Sequence, residues 1–252
     1  MTQPNTSSQA NQFLLYCRST LLFSAVLAVT AVFALLMLIA AIIPPFSWQY
    51  KLGSTWGKVV IWLAKVICGL DYQVTGLENL PKDQSAIVLC KHQSAWETIF
   101  LMAILPPSSI LLKKSLLWIP FWGWAMATLK PIAIDRSTPK QALSQLLKQG
   151  AQRLQEGFWV VMFPEGTRIA PGEQRKFSAS GSLLAQRTGF PVVPIAHNAG
   201  EFWSRNSFIK YPGVIQVRIG SPIEVTGRKS KEINRQAEAW INETMQDIEA
   251  TK

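Results

Sequence analysis

His92 stands five positions before Glu97 in the run Lys91-His92-Gln93-Ser94-Ala95-Trp96-Glu97. Activating a hydroxyl as a nucleophile needs a base that accepts a proton near neutral pH, and imidazole is the side chain suited to that task. A carboxylate beside the base holds its tautomer and stabilises the imidazolium once it forms. Each helical step turns ~100°, so residues five apart do not share a helix face. His92 and Glu97 therefore meet only if His92 sits in a turn and Glu97 in the first turn of the helix that follows. The same residues carry a second reading. Ser94-Ala95-Trp96-Glu97 is a capping box, with Ser94 at the N-cap and Glu97 reaching back to its backbone. Orienting His92 and capping the helix both stay open for Glu97.

A second group is Phe163-Pro164-Glu165-Gly166-Thr167-Arg168. Glycine lets a ligand approach backbone N–H groups, and a guanidinium binds a phosphate or oxyanion bidentately. Ile134-Asp135-Arg136 and Lys113-Lys114 add cations of the same kind. Each of these groups closes a short apolar, β-prone run: 86–90, 110–112, 131–134 and 158–162. Further runs lie at 192–196 and 214–219, with helical patterns at 95–105, 139–156, 180–187 and 230–248. Strands that are apolar throughout, separated by helices, predict an α/β fold with a mostly parallel sheet covered on both faces. Such sheets place ligands at the carboxyl ends of their strands. The cations and His92 are thereby expected along one rim.

The chain before residue 71 reads differently. Residues 1–12 are polar and predict a disordered tail. Residues 20–43 contain no charge, glycine or proline. As a helix they would extend ~36 Å, enough for a hydrocarbon core of ~30 Å. Pro44 and Pro45 end the run. Residues 46–70 mix Trp48, Tyr50, Trp56 and Trp62 with Lys51, Lys58 and Lys65, seven apart. That pattern suits a helix in the membrane interface, or an ordinary surface helix with its apolar face inward. Residues 13–70 are thus expected as a pair of membrane-anchoring helices and 71–252 as the catalytic domain. A bilayer can be crossed by the first helix, or the pair can form a hairpin in one leaflet.

Net charge is +10 and hydrophobic residues make up 48% of the 252. This balance suggests an anionic partner and a membrane surface. Nucleic acid is not expected, because no dense Lys/Arg stripe or nucleic-acid motif is present. Cys17, Cys68 and Cys90 with two histidines compose no zinc signature, so no metal site is expected. A Gly-x-Ser-x-Gly elbow and a Gly-Lys-Ser/Thr phosphate loop are both missing, which removes the serine hydrolase and nucleotide-binding readings. A non-catalytic membrane scaffold would account for the anchor but not for His92 with Arg168.

Taken in order, these blocks resemble the glycerolipid acyltransferase family, and its bacterial lysophosphatidic acid acyltransferases in particular. The likeness covers residues 76–223. His92 to Glu97 matches the family's His-x-x-x-x-Asp, with Glu in place of Asp. Ile134-Asp135-Arg136, Phe163 to Arg168 and Val192-Val193-Pro194-Ile195 match the later blocks. The resemblance implies His92 as general base and Glu97 as its carboxylate. It implies Arg168, Gly166, Thr167 and Glu165, with Arg136 and Lys114, at the acceptor's phosphate, and Pro194 near the acyl site. It implies acyl-CoA or acyl-carrier protein as donor and 1-acyl-glycerol 3-phosphate as acceptor, with no further cofactor. Glycerol 3-phosphate, a lysophospholipid or an amino-acid lipid are the alternative acceptors. It also implies the bacterial inner membrane, with the catalytic domain on the cytoplasmic face, as the positive-inside rule favours.

Overall fold

The computed structural model describes residues 6–42, 46–135 and 137–251. Seven strands form one sheet in the order β1-β7-β6-β2-β5-β3-β4. They are β1 (Leu70–Thr75), β2 (Ile87–Cys90), β3 (Ser108–Lys113), β4 (Ile132–Ile134), β5 (Trp159–Met162), β6 (Val192–His197) and β7 (Gly213–Ile219). The five strands from β6 to β4 run parallel, and β7 meets β6 antiparallel. The expected α/β fold with a mostly parallel sheet is therefore present.

Strands β2, β5 and β6 are buried at every position. Alternate residues go to opposite faces, as the pleat requires. Val88, Cys90, Val161 and Ile195 join one core with Trp96, Phe100 and Leu101, whereas Ile87, Leu89, Val160 and Met162 join another. The helices α3 (Trp96–Ile104) and α4 (Trp122–Thr128) cover the first face. The second is covered by α5 (Pro139–Gln155), α6 (Ser180–Thr188) and α8 (Ser230–Ala250). A four-residue helix, α7 (Ala199–Phe202), follows β6.

β1 has no counterpart among the expected strands. The apolar pattern of α2 (Phe46–Cys68) runs into it without a polar break. Gly69 makes the break, with φ of 68° and its N–H on the Lys65 carbonyl. That is a left-handed helix C-cap, a conformation glycine adopts without strain.

α1 (Thr6–Ala40) begins inside the stretch expected as a disordered tail, so residues 6–12 are helical. Residues 1–5 and the helix-stopping prolines Pro44 and Pro45 lie outside the described residues. Residues 11–40 are long and apolar enough to cross a membrane. Three bonds fix how α1 lies. Gln49 Nε2 donates to the Ala40 carbonyl at 3.3 Å, Trp56 Nε1 to Thr30 Oγ1 at 3.0 Å, and Cys68 Sγ to the Arg18 carbonyl at 3.7 Å. As α2 advances its partners recede along α1, so the two helices form an antiparallel hairpin. α2 turns Tyr50, Gly53, Gly57, Ile61 and Ala64 inward. A Cβ on Gly57 would stand 3.0 Å from the Ile99 carbonyl oxygen, so glycine is what lets α2 lie against α3. Lys51, Lys58 and Lys65 face outward with Trp48 and Trp62.

Candidate active site

Every parallel strand from β6 to β4 ends on one edge of the sheet, because parallel strands share a direction. β2 delivers the Lys91–Glu97 turn to that edge, its neighbour β5 delivers Phe163–Arg168, and β3 delivers Lys113. A cavity of about 530 Å³ opens there, lined by His92, Lys113, Gly166, Thr167, Arg168 and Arg205 on its polar side. Ile99, Met102, Ile110, Leu112, Trp122 and Met126 are among the apolar residues that line the rest.

His92 Nδ1 lies 2.7 Å from Glu97 Oε1. A carboxylate oxygen only accepts, so Nδ1 carries the hydrogen and Nε2 keeps its lone pair. The ring stacks on Phe163, with centroids 4.0 Å apart and planes at 18°. That contact fixes the remaining rotation. Glu97 Oε1 also accepts the N–H groups of Gln93 at 3.0 Å and Ser94 at 2.9 Å. The same oxygen thus holds the turn before α3 and orients His92. The expected capping box is not formed in that register: the N-cap of α3 is Ala95 rather than Ser94, and Ser94 Oγ accepts the Trp96 N–H at 3.0 Å. Glu97 Oε2 is buried with no hydrogen-bond partner, 3.9 Å from His197 Nε2.

Glu165, expected among the phosphate contacts, is turned away from the cavity. Its side chain is wholly buried, pairs with Lys91 Nζ, and accepts the His92 N–H at 2.8 Å. A carboxylate so placed offers nothing to an anion; it binds the turn after β5 to the turn after β2. A second tie runs between the same turns, from the Ile169 N–H to the His92 carbonyl at 2.8 Å. Gly166 has φ of 72°, and its N–H closes a turn on the Phe163 carbonyl at 3.0 Å. Proline at the second position and glycine at the fourth of that turn are the residues its geometry prefers.

These bonds also settle which oxyanion donors are spent. The N–H groups of His92, Gln93 and Ser94 go to Glu165 and Glu97, and that of Gly166 to Phe163. Neither the His92 turn nor Gly166 therefore has those N–H groups available to a developing oxyanion.

The remaining expected residues divide. Arg168 and Thr167 line the cavity. Lys113, at the end of β3, lines it rather than Lys114, which is exposed at the start of the following 3₁₀ turn. Arg136 lies outside the described residues. Pro194 is buried in β6, opposite Leu89 and facing Gly220 and Trp240. It does not line the cavity. Arg205 does, and its Nη1 donates to the Arg168 carbonyl at 3.0 Å. Nothing in the local sequence marks Arg205, which reaches the rim from the segment after α7.

His197, the other histidine, is fully buried and both ring nitrogens are engaged. Nδ1 accepts the Ala199 N–H at 3.1 Å, and Nε2 donates to the Lys91 carbonyl at 2.8 Å. Burial holds it below its ordinary value, against the opposing pull of Glu97 and the Lys91 carbonyl. It stays neutral and has no nitrogen left to act as a base.

A family profile described as Acyltransferase matches residues 71–198. The chain is 49% identical to 1-acyl-sn-glycerol-3-phosphate acyltransferase of Pseudomonas aeruginosa over 91% of each chain. It is 34% identical to the enzyme of that name from Saccharomyces cerevisiae, over 69% of this chain and 58% of that one. Among solved structures it resembles the 1-acyl-sn-glycerophosphate (LPA) acyltransferase PlsC from Thermotoga maritima. The TM-score is 0.78 at 20% identity, over 96% of this chain and 98% of that chain, a likeness of fold.

Proposed function

The chain belongs to the acyltransferase family, and we propose that it acylates the free hydroxyl of 1-acyl-sn-glycerol 3-phosphate to give phosphatidic acid. A relative from Pseudomonas aeruginosa carries that name at 49% identity over 91% of this chain. The observation that carries the reading to this chain is the His92–Glu97 pair, 2.7 Å apart, on a cavity that also holds Arg168.

His92 Nε2 takes the proton of the acceptor hydroxyl while the oxygen attacks the thioester carbonyl. Glu97 holds the proton on Nδ1 and balances the imidazolium. When the tetrahedral adduct collapses, the C–S bond breaks and the imidazolium returns the proton to the departing thiolate. Base catalysis of this kind contributes roughly 10²–10⁴-fold. Arg168, Lys113 and Arg205 hold the acceptor's phosphate, with Thr167 beside them. Gly166 shapes the turn that presents Arg168. The apolar side of the cavity, from Ile99 to Met126, receives an acyl chain. The donor is an acyl-CoA or acyl-carrier-protein thioester, and the chemistry asks for no further cofactor.

The α1–α2 hairpin holds the enzyme to a bilayer from one leaflet. Arg18 lies beside Cys68, and the Lys210 N–H donates to Ser19 Oγ at 2.9 Å, so the start of α1 rests on the flank of the catalytic domain. The membrane is the bacterial inner membrane and the domain faces the cytoplasm, where acyl thioesters are made.

Purified enzyme offered labelled lyso-acceptors, with and without phosphate, and both thioesters tests this reading. Phosphatidic acid from the phosphorylated lyso-acceptor is expected. Acylation of glycerol 3-phosphate or of an uncharged acceptor in its place would overturn it.

A further inference from the structure

From the 3₁₀ turn after β3 into the start of α4 the chain reads Leu116-Leu117-Trp118-Ile119-Pro120-Phe121-Trp122-Gly123-Trp124. Core-forming residues dominate, yet the outer side of this segment is open. Trp118 is 77% exposed, Phe121 62% and Trp124 47%, with Ile119 and Leu116 also exposed. Soluble surfaces rarely gather large apolar side chains so densely. Phe121 has φ of 59°, a backbone setting bulky residues seldom take, and its ring lies 5.5 Å from that of Trp124. Gly123 allows the segment to fold back on itself, since a Cβ there would stand 2.5 Å from the Leu116 carbonyl oxygen. The fold therefore builds a protruding aromatic turn.

Its surroundings say what covers it. The inner side of α4 packs on α1, and Ala125 and Met126, with Leu129 just beyond the helix, share one core with Ala34 and Met37. The neighbouring outer face of α1 carries Val32, Leu35, Leu36 and Ile39, all exposed. The turn is thus continuous with the apolar surface of the hairpin. Lys113 and Lys114 stand immediately before it, in a chain of net charge +10. Tryptophan and phenylalanine beside lysine are the residues that settle at the boundary between acyl chains and anionic headgroups. Leu116 and Trp122 of the same segment line the cavity that holds His92.

We propose that residues 116–124 form a second membrane-inserting element, a wedge separate from the α1–α2 hairpin, that seats the mouth of the cavity in the headgroup layer of an anionic phospholipid bilayer. The proposal rests on the reading of the chain as a bilayer-bound enzyme. With the wedge inserted, a lipid acceptor enters sideways from the leaflet, its phosphate toward Lys113 and Arg168, without leaving the membrane.

The test uses the full chain with Cys17→Ser, leaving two buried native cysteines. An environment-sensitive fluorophore goes on a cysteine at Trp118 in one variant and at Leu27, on exposed α1 surface, in another. Vesicles of phosphatidylcholine and phosphatidylglycerol carry spin-labelled acyl chains as quencher. Both probes should shift to the blue and be quenched. A Leu27 probe that enters the bilayer while the Trp118 probe stays in water overturns the wedge and spares the hairpin. Two probes that both stay in water overturn the bilayer reading and the wedge with it. Trp118→Ser/Phe121→Ser/Trp124→Ser should slow acylation of a vesicle-embedded acceptor roughly tenfold, because membrane binding follows the apolar area buried. Acylation of a soluble short-chain acceptor by that variant should be unchanged. An equal loss on both acceptors would mark a packing role and overturn the proposal.

Discussion

Glu97 Oε1 lies 2.7 Å from His92 Nδ1 and 2.9 Å from the Ser94 backbone nitrogen. One carboxylate oxygen thus braces the turn before α3 and aims the base. The two duties separate under substitution. Glu97→Gln keeps an acceptor oxygen for the backbone N–H groups but removes the charge that balances the imidazolium. The expected outcome is a fall in kcat on the order of 10²-fold or more with a small change in melting temperature. Glu97→Ala should lose both, leaving two buried N–H groups without an acceptor at a cost of about 1–3 kcal/mol. Equal activity of Glu97→Gln and wild type would reduce Glu97 to a brace of the turn.

His92→Ala should lower kcat by roughly 10²–10⁴-fold with the fold intact, as for a general base. His197→Asn should retain far more activity, because neither nitrogen of His197 is available to substrate. Kinetics on both variants check the assignment, and the reverse order would exchange the roles.

His197 also makes stability depend on pH in a calculable direction. Burial lowers its value from the ordinary 6.5. Below about pH 6.5 the unfolded chain binds a proton that the folded chain refuses, so stability falls as pH drops through that window. The groups facing His197 are Glu97, His92, Glu165 and the Lys91 carbonyl. His197→Asn should flatten this slope in denaturant unfolding followed at several pH values. An unchanged slope would assign the acid sensitivity to another group.

Arg168 and Arg205 converge on the cavity from segments 37 residues apart. Loss of a charged hydrogen bond costs about 1.5–3 kcal/mol, so Arg168→Ala and Arg205→Ala should each raise the acceptor KM roughly ten- to hundredfold. The thioester KM should move little. A rise confined to the thioester KM would place both guanidinium groups at the donor.

How far the site could be read in advance follows from where its information lies. His92, Glu97, Gly166 and Arg168 each sit in a short run directly after a buried strand, so local pattern locates them. Lys91 with Glu165, 74 residues apart, and Arg205 with Arg168 are pairs made only by strand order. No local spacing encodes them. β2, β5 and β6 were legible because burial on both faces makes them apolar throughout. β1 was hidden because its first residue, Leu70, continues the apolar run of α2. The positive φ of Gly69 divides the two, and an isolated glycine at the end of a helical pattern is the signal that would have found it.

The buried Lys91–Glu165 pair should matter more to stability than to substrate binding. Removing one partner of a buried pair leaves a charge without compensation and costs about 3–5 kcal/mol. Glu165→Ala also strips the His92 N–H of its acceptor, so the base should lose its position. The expected result is a marked fall in unfolding free energy with a lowered kcat. Lys91→Met/Glu165→Gln, which removes both charges and keeps an acceptor for His92, should recover much of the stability. Denaturant unfolding of the three proteins measures it. A double variant no more stable than Glu165→Ala would mean that the pair itself, rather than the orphaned lysine, holds the turn.

The hairpin yields the last prediction. A helix of this length can cross a bilayer, but α1 is not free to do so while it keeps its contacts. Arg18 is tied to Cys68 at one end of the pair and Ala40 to Gln49 at the other. Tyr16 and Phe23 both pack on Phe208, and Ser19 accepts the Lys210 N–H, all within the segment that carries Arg205 to the cavity. A transbilayer α1 would carry residues 6–12 away from the domain and break each of these contacts. With α1 in one leaflet they persist, and residues 6 and 229 lie on one side. Single cysteines at Thr6 and Lys229, in a Cys17→Ser background and sealed vesicles, report this directly. Both should label from the side of the catalytic domain with an impermeant thiol reagent. Labelling of Thr6→Cys from the opposite side alone would establish a span and require the contacts of Ser19 and Phe208 to open in the membrane. Release of the whole protein by high salt would defeat both arrangements, because salt screens charge and leaves buried apolar area untouched.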